Sequence, residues 1–366
     1  MALVKLKDVV MRVKDKVDKD TADLDFYIGG EHFDYAEICI SRRGVIQGST
    51  IGPAFHMRFQ PGDVLLMSRN PHLRKAGVVD FEGICSDVSY VCRTKDENVL
   101  LQRYLPFIFQ TDHFWDFAES NKKGSTNFFL NWSDFEKYEF NLPPIEIQRE
   151  LTELLWAAEN TKLAYIDLLR QTDELVKSQF IEMFDGKGYS VVNVSSFMTN
   201  MRNGLSPSKK GTHYEKVLTL SAVTQGVFDP EAWKDGAFDD CPPEDKRIRT
   251  SEFYMCRGNG NKTLVGTAVY AEKDCPDLVF PDTVIAAHID TEKVLLPYLY
   301  IAWKMPAIRE QIEENARTTN GTYKINQKVL AGIEIIQPPI EKQKEFVMLV
   351  EQSDKSKHSY LIRKNT

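Results

Sequence analysis

The chain has 366 residues, of which 42% are hydrophobic and 27% charged, and this usage predicts a folded protein of more than one domain and excludes a disordered chain. No apolar run is as long as a membrane span, and the N-terminus alternates apolar with charged residues, unlike a signal peptide. We therefore expect a cytoplasmic protein with no membrane partner. The net charge of −7 disfavours a surface that is basic throughout, so any nucleic-acid site must be local.

Two globular units are predicted, each of mixed α/β (α+β) class, because short apolar segments alternate with turn residues. The first covers residues 1–143, with strand-like segments at Val64–Met67 and Ile84–Val91 and a helix over Leu100–Glu119. The second covers residues 187–338, with strand-like segments at Lys216–Ser221, Lys262–Ala271 and Val284–His288 and a helix over Leu296–Asn315.

A long helix is predicted over residues 144–186, between the two units. It begins after Pro143 and Pro144, which are tolerated in a first turn, and it ends before Gly186. Apolar residues recur at alternating steps of four and three, which is the pattern of a coiled-coil seam that Thr161 and Thr172 interrupt. The seam consists of Leu151, Leu154, Ala158, Tyr165, Leu168 and Leu175. At about 1.5 Å per residue, such a helix is a rod of roughly 60 Å, which predicts a spacer.

An internal repeat relates the two halves of the chain. Residues 141–151 and 336–346 share a Pro-Pro-Ile-Glu-x-Gln-x-Glu sequence, and every matched pair is 195 positions apart. The same offset places Val99-Leu100-Leu101 over Val294-Leu295-Leu296, and a Gly-x-Thr segment near Gly124 is echoed by Gly321-Thr322. We predict two copies of one module, with a second, shorter helix over residues 339–366. Its weaker seam consists of Phe346, Leu349 and Tyr360.

These features resemble the DNA specificity (S) subunit of type I restriction-modification systems. The similarity lies in the two globular units, each closed by a Gly-x-Thr segment and a Pro-Pro-x-Glu-x-Gln helix, and in the phrases around Asn203–Pro207 and Arg257–Gly266. The resemblance implies two target recognition domains joined by a long antiparallel two-helix coiled coil, with a pseudo-two-fold internal repeat. It also implies a non-catalytic subunit that binds a bipartite double-stranded DNA target, with two methyltransferase subunits on its helices and motor-nuclease subunits in the complex.

Candidate DNA-binding residues are those whose side chains can donate to base edges or phosphates and that lie on predicted loops. In the first unit they are Arg42, Arg43, Gln47, Arg69, Asn70, Arg74, Lys75, Lys122, Lys123, Ser125 and Asn127. In the second unit they are Ser206, Ser208, Lys209, Lys210, Arg257, Asn259, Asn261, Lys262, Arg317, Thr318, Thr319, Asn320 and Lys324. Each group can equally be a solvated polar loop.

Charge is distributed unevenly among these segments. The two units are near neutral, with 18 basic against 21 acidic residues in 1–143 and 18 against 19 in 187–338, whereas the long helix has 4 against 9. An acidic helix suits a protein partner better than DNA. We therefore expect the isolated chain to bind DNA weakly.

No catalytic, metal or cofactor site is predicted. The six cysteines form no CxxC pair, GNGNKT at 258–263 lacks the spacing of a phosphate-binding loop, and no complete methyltransferase or nuclease motif is present. One alternative is a protein-protein scaffold with two binding heads on a coiled-coil spacer. Another, which the absent motifs disfavour, is a self-contained restriction enzyme.

Overall fold

The structure, a computed structural model, describes residues 2–125, 127–319 and 321–364, without the side chains of Thr319 and residues 353–364. Its contacts divide the chain into two compact units, residues 1–166 and 167–366. No helix in the described ranges is long and apolar enough to cross a membrane.

In the described part of the first unit, ten strands form three small sheets. The strands are β1 (Ala2–Lys5), β2 (Val10–Val13), β3 (Phe26–Ile28), β4 (Gly44–Val45), β5 (Phe55–Phe59), β6 (Val64–Met67), β7 (Ala76–Val78), β8 (Gly83–Ser86), β9 (Ser89–Thr94) and β10 (Glu139–Leu142). Two four-stranded sheets have the orders β2-β9-β6-β7 and β4-β3-β8-β5, and β1 pairs with β10. All pairs are antiparallel except β3 with β8.

Short helices complete the first unit. They are α1 (Leu6–Val9), α2 (Leu105–Phe109), α3 (Asp112–Ser120) and α4 (Trp132–Phe135), with 3-10 turns at Gly30–His32, Pro71–Leu73 and Gln102–Tyr104. The single helix expected over Leu100–Glu119 is thus divided. The hydroxyl of Thr111 accepts a hydrogen bond from the Phe114 N–H at 3.3 Å and caps the start of α3.

The core of the first unit lies on both faces of β6. Val64 and Leu66 belong to one apolar cluster, with α2 and α3, whereas Leu65 and Met67 belong to another. Successive side chains of a strand point to opposite faces, so a strand between two cores is apolar at every position. The continuous apolar run at Val64–Met67, which predicted a strand, has this cause.

The long helix is α5 (Ile145–Phe184), and it follows β10 directly. Its side chains are buried along a stripe that differs from the predicted seam. In the first unit this stripe consists of Gln148, Thr152 and Glu159, and in the second of Val176, Phe180 and Phe184. Within each unit the buried positions recur at steps of four or seven residues, which follow the 3.6-residue helix period.

Most of the predicted seam on α5 is exposed, so it is not the face of the helix that packs inside either unit. Leu154, Leu168 and Leu175 have 68%, 49% and 54% of their surface exposed, Ala158 is also exposed, and Leu151 and Tyr165 are half-buried. The face turned inward is the one that carries the fully buried Gln148. An apolar periodicity locates a stripe on a helix, but it does not say which surface lies opposite it.

The second unit has counterparts of the three sheets of the first, and a further three-stranded sheet. Its strands are β11 (Ser190–Asn193), β12 (Met198–Asn203), β13 (His213–Leu218), β14 (Trp233–Phe238), β15 (Arg247–Ile248), β16 (Glu252–Cys256), β17 (Gly258–Asn259), β18 (Ala268–Tyr270), β19 (Cys275–Val279), β20 (Val284–Ile289), β21 (Arg317–Thr319), β22 (Thr322–Lys324) and β23 (Glu334–Gln337). Its helices are α6 (Ser221–Thr224), α7 (Leu296–Trp303), α8 (Pro306–Asn315), α9 (Gln327–Ala331) and α10 (Ile340–Lys364), with 3-10 turns at Val194–Ser196, Glu244–Lys246 and Lys262–Leu264. The further three-stranded sheet is formed by β17, β22 and β21.

Strand order in the second unit corresponds to that in the first. The sheets β12-β20-β16-β18 and β14-β13-β19-β15 match β2-β9-β6-β7 and β4-β3-β8-β5, and β11 pairs with β23 as β1 does with β10. The one parallel pair also corresponds, since β13 runs parallel to β19. Two segments differ from expectation: Pro306 divides the helix predicted over Leu296–Asn315, and Lys262–Ala271 begins as a 3-10 turn, because Asn261 accepts from the Thr263 N–H at 3.1 Å.

An aromatic cluster forms the part of the second unit's core next to α10. Phe346 is fully buried, and its ring contacts those of Phe180, Phe184 and Tyr298 at centroid distances of 5.6, 5.5 and 6.3 Å. Leu349 is 41% exposed, and the side chain of Tyr360, also predicted in the seam, lies outside the described residues. Helices α5 and α10 therefore meet at this cluster.

Candidate nucleic-acid interface

In the first unit, backbone hydrogen bonds bring two of the predicted loop groups together. Asn70 N–H donates to Phe128 O, and Leu130 N–H donates to Ser68 O, both at 2.9 Å. Phe129 also exchanges two backbone hydrogen bonds with Lys123, at 2.8 and 2.9 Å. We call residues 68–70, 123 and 128–130 the first ribbon.

The loop that leaves the first ribbon has an unusual backbone. Asn70 and Arg74 both have positive φ, at 52° and 47°, on either side of the 3-10 turn Pro71–Leu73. Residues other than glycine adopt this left-handed region at a cost, and such positions cluster at binding sites. The loop projects Asn70 and Arg74 in fixed directions.

Several candidate cations of the first unit are neutralised by carboxylates. Arg74 pairs with Asp112 at 2.5 Å, Lys122 with Glu119 at 2.6 Å, and Lys123 with Asp134 at 2.7 Å. Hydrogen bonds from Lys123 and Lys137 lower the pKa of Asp134. Because each is paired with a carboxylate, these cations attract a phosphate less strongly than a count of Lys and Arg in the sequence would predict.

Arg42 pairs with Asp34, and the guanidinium of Arg43 lies over the Phe26 ring at 4.0 Å, while Gln47 is exposed. Tyr35, which precedes these residues in the chain, is 65% exposed, and the centroid of its ring lies 5.8 Å from the Arg74 guanidinium. Tyr35 is not among the residues predicted from the sequence, because nothing in its local pattern separates it from a core tyrosine.

The remaining first-unit candidates are Lys75, Ser125 and Asn127. Lys75 donates to the Gly30 carbonyl at 2.6 Å, which fixes it to the neighbouring 3-10 turn. Ser125 and Asn127 are exposed beside the first ribbon.

In the second unit, the three-stranded sheet β17-β22-β21 brings two predicted groups together, and we call it the second ribbon. Lys324 lies opposite Gly258 on one side and opposite Arg317 on the other. The carbonyl of Arg257, just before β17, accepts from the Ile325 N–H at 2.9 Å. Asn259 accepts from the Asn261 N–H at 2.8 Å, and Lys262 follows in the adjoining turn.

The third predicted group of the second unit lies at another sheet. Ser208 N–H donates to Ala237 O at 2.7 Å, which places Ser206, Ser208, Lys209 and Lys210 beside β14 rather than at the second ribbon. Among the last group, Thr318 and Arg317 are in β21, whereas Asn320 and the side chain of Thr319 lie outside the described residues.

The two ribbons correspond in position and pairing. Each contains a left-handed glycine between two of its segments, Gly124 at φ 97° in the first and Gly321 at φ 74° in the second. In the first, Phe129 is paired with Arg69 and Lys123; in the second, Lys324 is paired with Gly258 and Arg317. Each unit therefore presents a small antiparallel ribbon with basic side chains across neighbouring strands.

Three exposed cations on the ribbons differ from the neutralised ones. Within the described part of the chain, Arg69, Arg317 and Lys324 take part in no salt bridge. Unpaired cations displace counterions from DNA without first breaking an internal ion pair. Among the cations of the two ribbons, these three have the electrostatics best suited to a phosphate contact.

No metal-binding arrangement accompanies the ribbons. Across the residues that the structure describes, no group of three or more His, Cys, Asp or Glu side chains could hold a metal ion. All six cysteines are free thiols, and Cys85, Cys92 and Cys256 are buried.

The fold is that of the S subunits of type I restriction-modification systems. The crystal structure of the S subunit from M. genitalium superimposes with a TM-score of 0.56 at 11% identity, covering 99% of this chain and 91% of that one. A structure described for complex assembly and conformational transition of the type I R-M system gives 0.47 at 16% identity, covering 98% and 91%. No protein-family model matches the chain.

A curated relative gives the same result from sequence. The chain is 23% identical over 296 residues to the type I restriction enzyme EcoKI specificity subunit of Escherichia coli K12. The match covers 73% of this chain and 62% of that protein, less than two thirds of its length. The resemblance to type I specificity subunits that was predicted from the sequence is confirmed.

Proposed function

We propose that this chain is the sequence-specificity subunit of a type I restriction-modification system and that each of its units binds one half of a bipartite double-stranded DNA target. The observation that carries the proposal is the matching strand order of the two four-stranded sheets in each unit, together with a basic ribbon in each. Two copies of one module suit a target with two separated blocks, as paired half-sites do in other DNA-binding proteins. The similarity to the EcoKI specificity subunit supports the class of ligand.

In this proposal the chain is a pseudo-two-fold repeat of a recognition domain and a helix. The domains are residues 1–143 and 187–338, and the helices, residues 144–186 and 339–366, pair as an antiparallel coiled coil that separates the half-sites. The ring contacts of Phe346 with Phe180 and Phe184 support the pairing of the helices. Their lengths then set the gap in the target.

The chain itself is non-catalytic in this proposal and acts in the cytoplasm. Two methyltransferase subunits bind the helices, and motor-nuclease subunits join through them. The acidity of α5, with its exposed Leu154, Leu168 and Leu175, supports a protein partner for this helix. Chemistry is then supplied by the partners and sequence selection by this chain.

Base and phosphate contacts are assigned to the ribbons and their loops. A two-stranded β-ribbon fits the DNA major groove, and Arg, Lys and Asn are the side chains that pair with purine edges. Arg69 and Asn70 in the first unit and Asn259, Arg317 and Lys324 in the second have this chemistry.

An electrophoretic shift of the chain with its methyltransferase partner tests the proposal. The expected result is a complex on a subset of a random duplex library that shares two fixed blocks, and only weak binding by the chain alone. A complex that forms without any sequence selection, or none at all, would contradict the proposal and favour a protein scaffold. A methylation assay of the isolated chain should be negative.

A further inference from the structure

The side chain of Gln148, in the first turns of α5, makes three hydrogen bonds inside the first unit. Its Oε1 accepts from the Leu101 N–H at 3.1 Å, and its Nε2 donates to the carbonyls of Val99 and Pro143, both at 2.8 Å. The side chain is fully buried. It therefore connects three segments: the loop before α2, the end of β10 and the start of α5.

Gln343, in the first turns of α10, makes the same three bonds inside the second unit. Its Oε1 accepts from the Leu295 N–H at 2.9 Å, and its Nε2 donates to the carbonyls of Lys293 and Pro338, both at 2.9 Å. It is also fully buried. The same arrangement thus occurs twice, on the glutamine of each Pro-Pro-x-Glu-x-Gln segment.

Only a primary amide satisfies such a site. One oxygen must accept from a backbone N–H while one nitrogen donates to two carbonyls, and among side chains of this length only glutamine has both groups. Methionine has a similar volume but leaves the N–H and both carbonyls unpaired, and buried unpaired polar groups are costly. Glutamate keeps the acceptor but places a negative oxygen against two carbonyl oxygens.

We propose that Gln148 and Gln343 are positioning residues that lock each recognition module to the start of its helix, and so make the complex discriminate sharply between spacer lengths. The inference rests on the proposed function. The bonds join a side chain of the helix to backbone atoms of its module, so they fix the rotation and translation of that helix start. If the start of a helix can move relative to its module, the distance between the two recognition domains varies, and more than one spacer length can be bound.

Binding of the complex with its methyltransferase partner to duplexes of graded spacer length tests this. The two half-sites are held constant and the spacer is changed by single base pairs, for wild type, Gln148→Met and Gln343→Met. Wild type should prefer one spacer. Each variant should accept neighbouring spacers, with the ratio between the best and adjacent spacers reduced by roughly tenfold, equivalent to about one buried hydrogen bond. The half-site sequences should not change.

Gln171→Met is the matched control, because Gln171 lies on the same helix, is exposed, and bonds only to the neighbouring Asp167 among the described contacts. It should keep the wild-type spacer profile. Gln148→Glu keeps an oxygen that can accept the hydrogen bond from the Leu101 N–H, and it gives a second test if the methionine variant does not fold. It should also broaden the spacer profile.

A uniform loss of affinity with a sharp spacer preference would mean that the glutamines only stabilise the fold, and it would overturn the inference. An unchanged profile or altered half-sites would overturn it as well. If wild type itself binds DNA without sequence selection, it is the proposed function that fails. Amide hydrogen exchange at Leu101 gives a local readout, and it should accelerate in Gln148→Met, while unchanged protection would contradict the role of the side chain.

Discussion

The guanidinium of Arg202 and the carboxylate of Glu252 form a buried ion pair, with Nη1 and Oε2 2.8 Å apart and side chains only 10% and 6% exposed. The pair joins β12 to β16 across β20, the strand between them in the same sheet. The same guanidinium donates to the carbonyls of Asp245 and Asn200 at 2.8 and 3.1 Å. Its Nε also lies 3.4 Å from the half-exposed carboxylate of Asp245, so Glu252 is its buried counter-charge and Asp245 a more exposed one.

Glu252→Gln should therefore destabilise the second unit by about 3 kcal/mol, because it removes the buried counter-charge of Arg202 and leaves only the carboxylate of Asp245, which is 3.4 Å away and 49% exposed. Denaturant unfolding followed by circular dichroism measures this. The control is Asp277→Asn, which breaks the exposed pair with Lys216 at 3.1 Å and should cost less than about 1 kcal/mol. Equal effects from the two substitutions would mean that burial of the Arg202 pair does not matter.

Lys324→Ala should weaken DNA binding by the complex about equally across target sequences, if its ammonium contacts a phosphate as proposed. The slope of log affinity against log salt should become shallower by about one. Lys177→Ala, which removes an exposed cation from α5, is the control and should leave the slope unchanged. A selective change at one base position with an unchanged slope would instead assign Lys324 to a base edge.

Thiol reactivity should follow burial. Burial raises the pKa of Cys39 to about 11, with Glu159 and Glu37 adding to the shift, and raises that of Cys256 to about 11. At pH 8 a thiol reagent should label exposed Cys241 first and leave Cys256 unlabelled until the chain unfolds.

The same shifts have a consequence for stability. Between the ordinary thiol pKa of 9.0 and about 11, the unfolded chain releases protons that the folded chain retains, so stability is full below pH 9 and falls as the pH rises. Thermal melts from pH 8 to 11 check the sign. A melting temperature that rises over this range would contradict it.

Removing or adding one turn of α5 should change the preferred spacer of the target without changing either half-site. A turn is about 5.4 Å, or between one and two base pairs at 3.4 Å each. Target selection with each variant measures both properties at once. A variant that selects different half-sites would contradict the role of the helices as a spacer.

The sequence predicted the repeated motif but not its role. The Pro-Pro-x-Glu-x-Gln segments were found by matching, whereas the contacts of Gln148 and Gln343 depend on loops some fifty residues away. The structure also corrects the alignment by one residue, because Leu101 corresponds to Leu295 in these contacts rather than to Leu296. The two motifs are 195 positions apart, but these leucines are 194 apart, because the loops that follow them differ in length by one residue. A constant offset along the sequence cannot show such a difference.

The face of α5 that is buried within each unit could not be predicted from the sequence for a related reason. Thr152 and Glu159 are buried although both are polar, and Glu159 is paired with Lys162 at 2.6 Å. A rule that assigns polar residues to solvent places them on the wrong face. Leu154 is exposed because the rest of the first unit packs against the face of α5 that carries Thr152 and Glu159, although that face is the more polar one.

Candidate binding residues were predicted as separate loops, and the structure brings some of them together. Arg317 and Lys324 face each other across paired strands, whereas Lys209 lies beside a different sheet. The ion pair of Arg74 with Asp112 crosses 38 residues of sequence. Such long-range partners decide which cations remain free, and no local pattern encodes them.

Methylome sequencing of cells that carry the partner methyltransferase, with and without this chain, tests the central claim most directly. The account predicts a methylated motif that appears only with the chain and consists of two fixed blocks separated by a constant number of unspecified base pairs. Exchanging residues 187–338 for the corresponding domain of a relative should replace one block and leave the other unchanged. A continuous motif, or methylation that does not depend on the chain, would contradict the account.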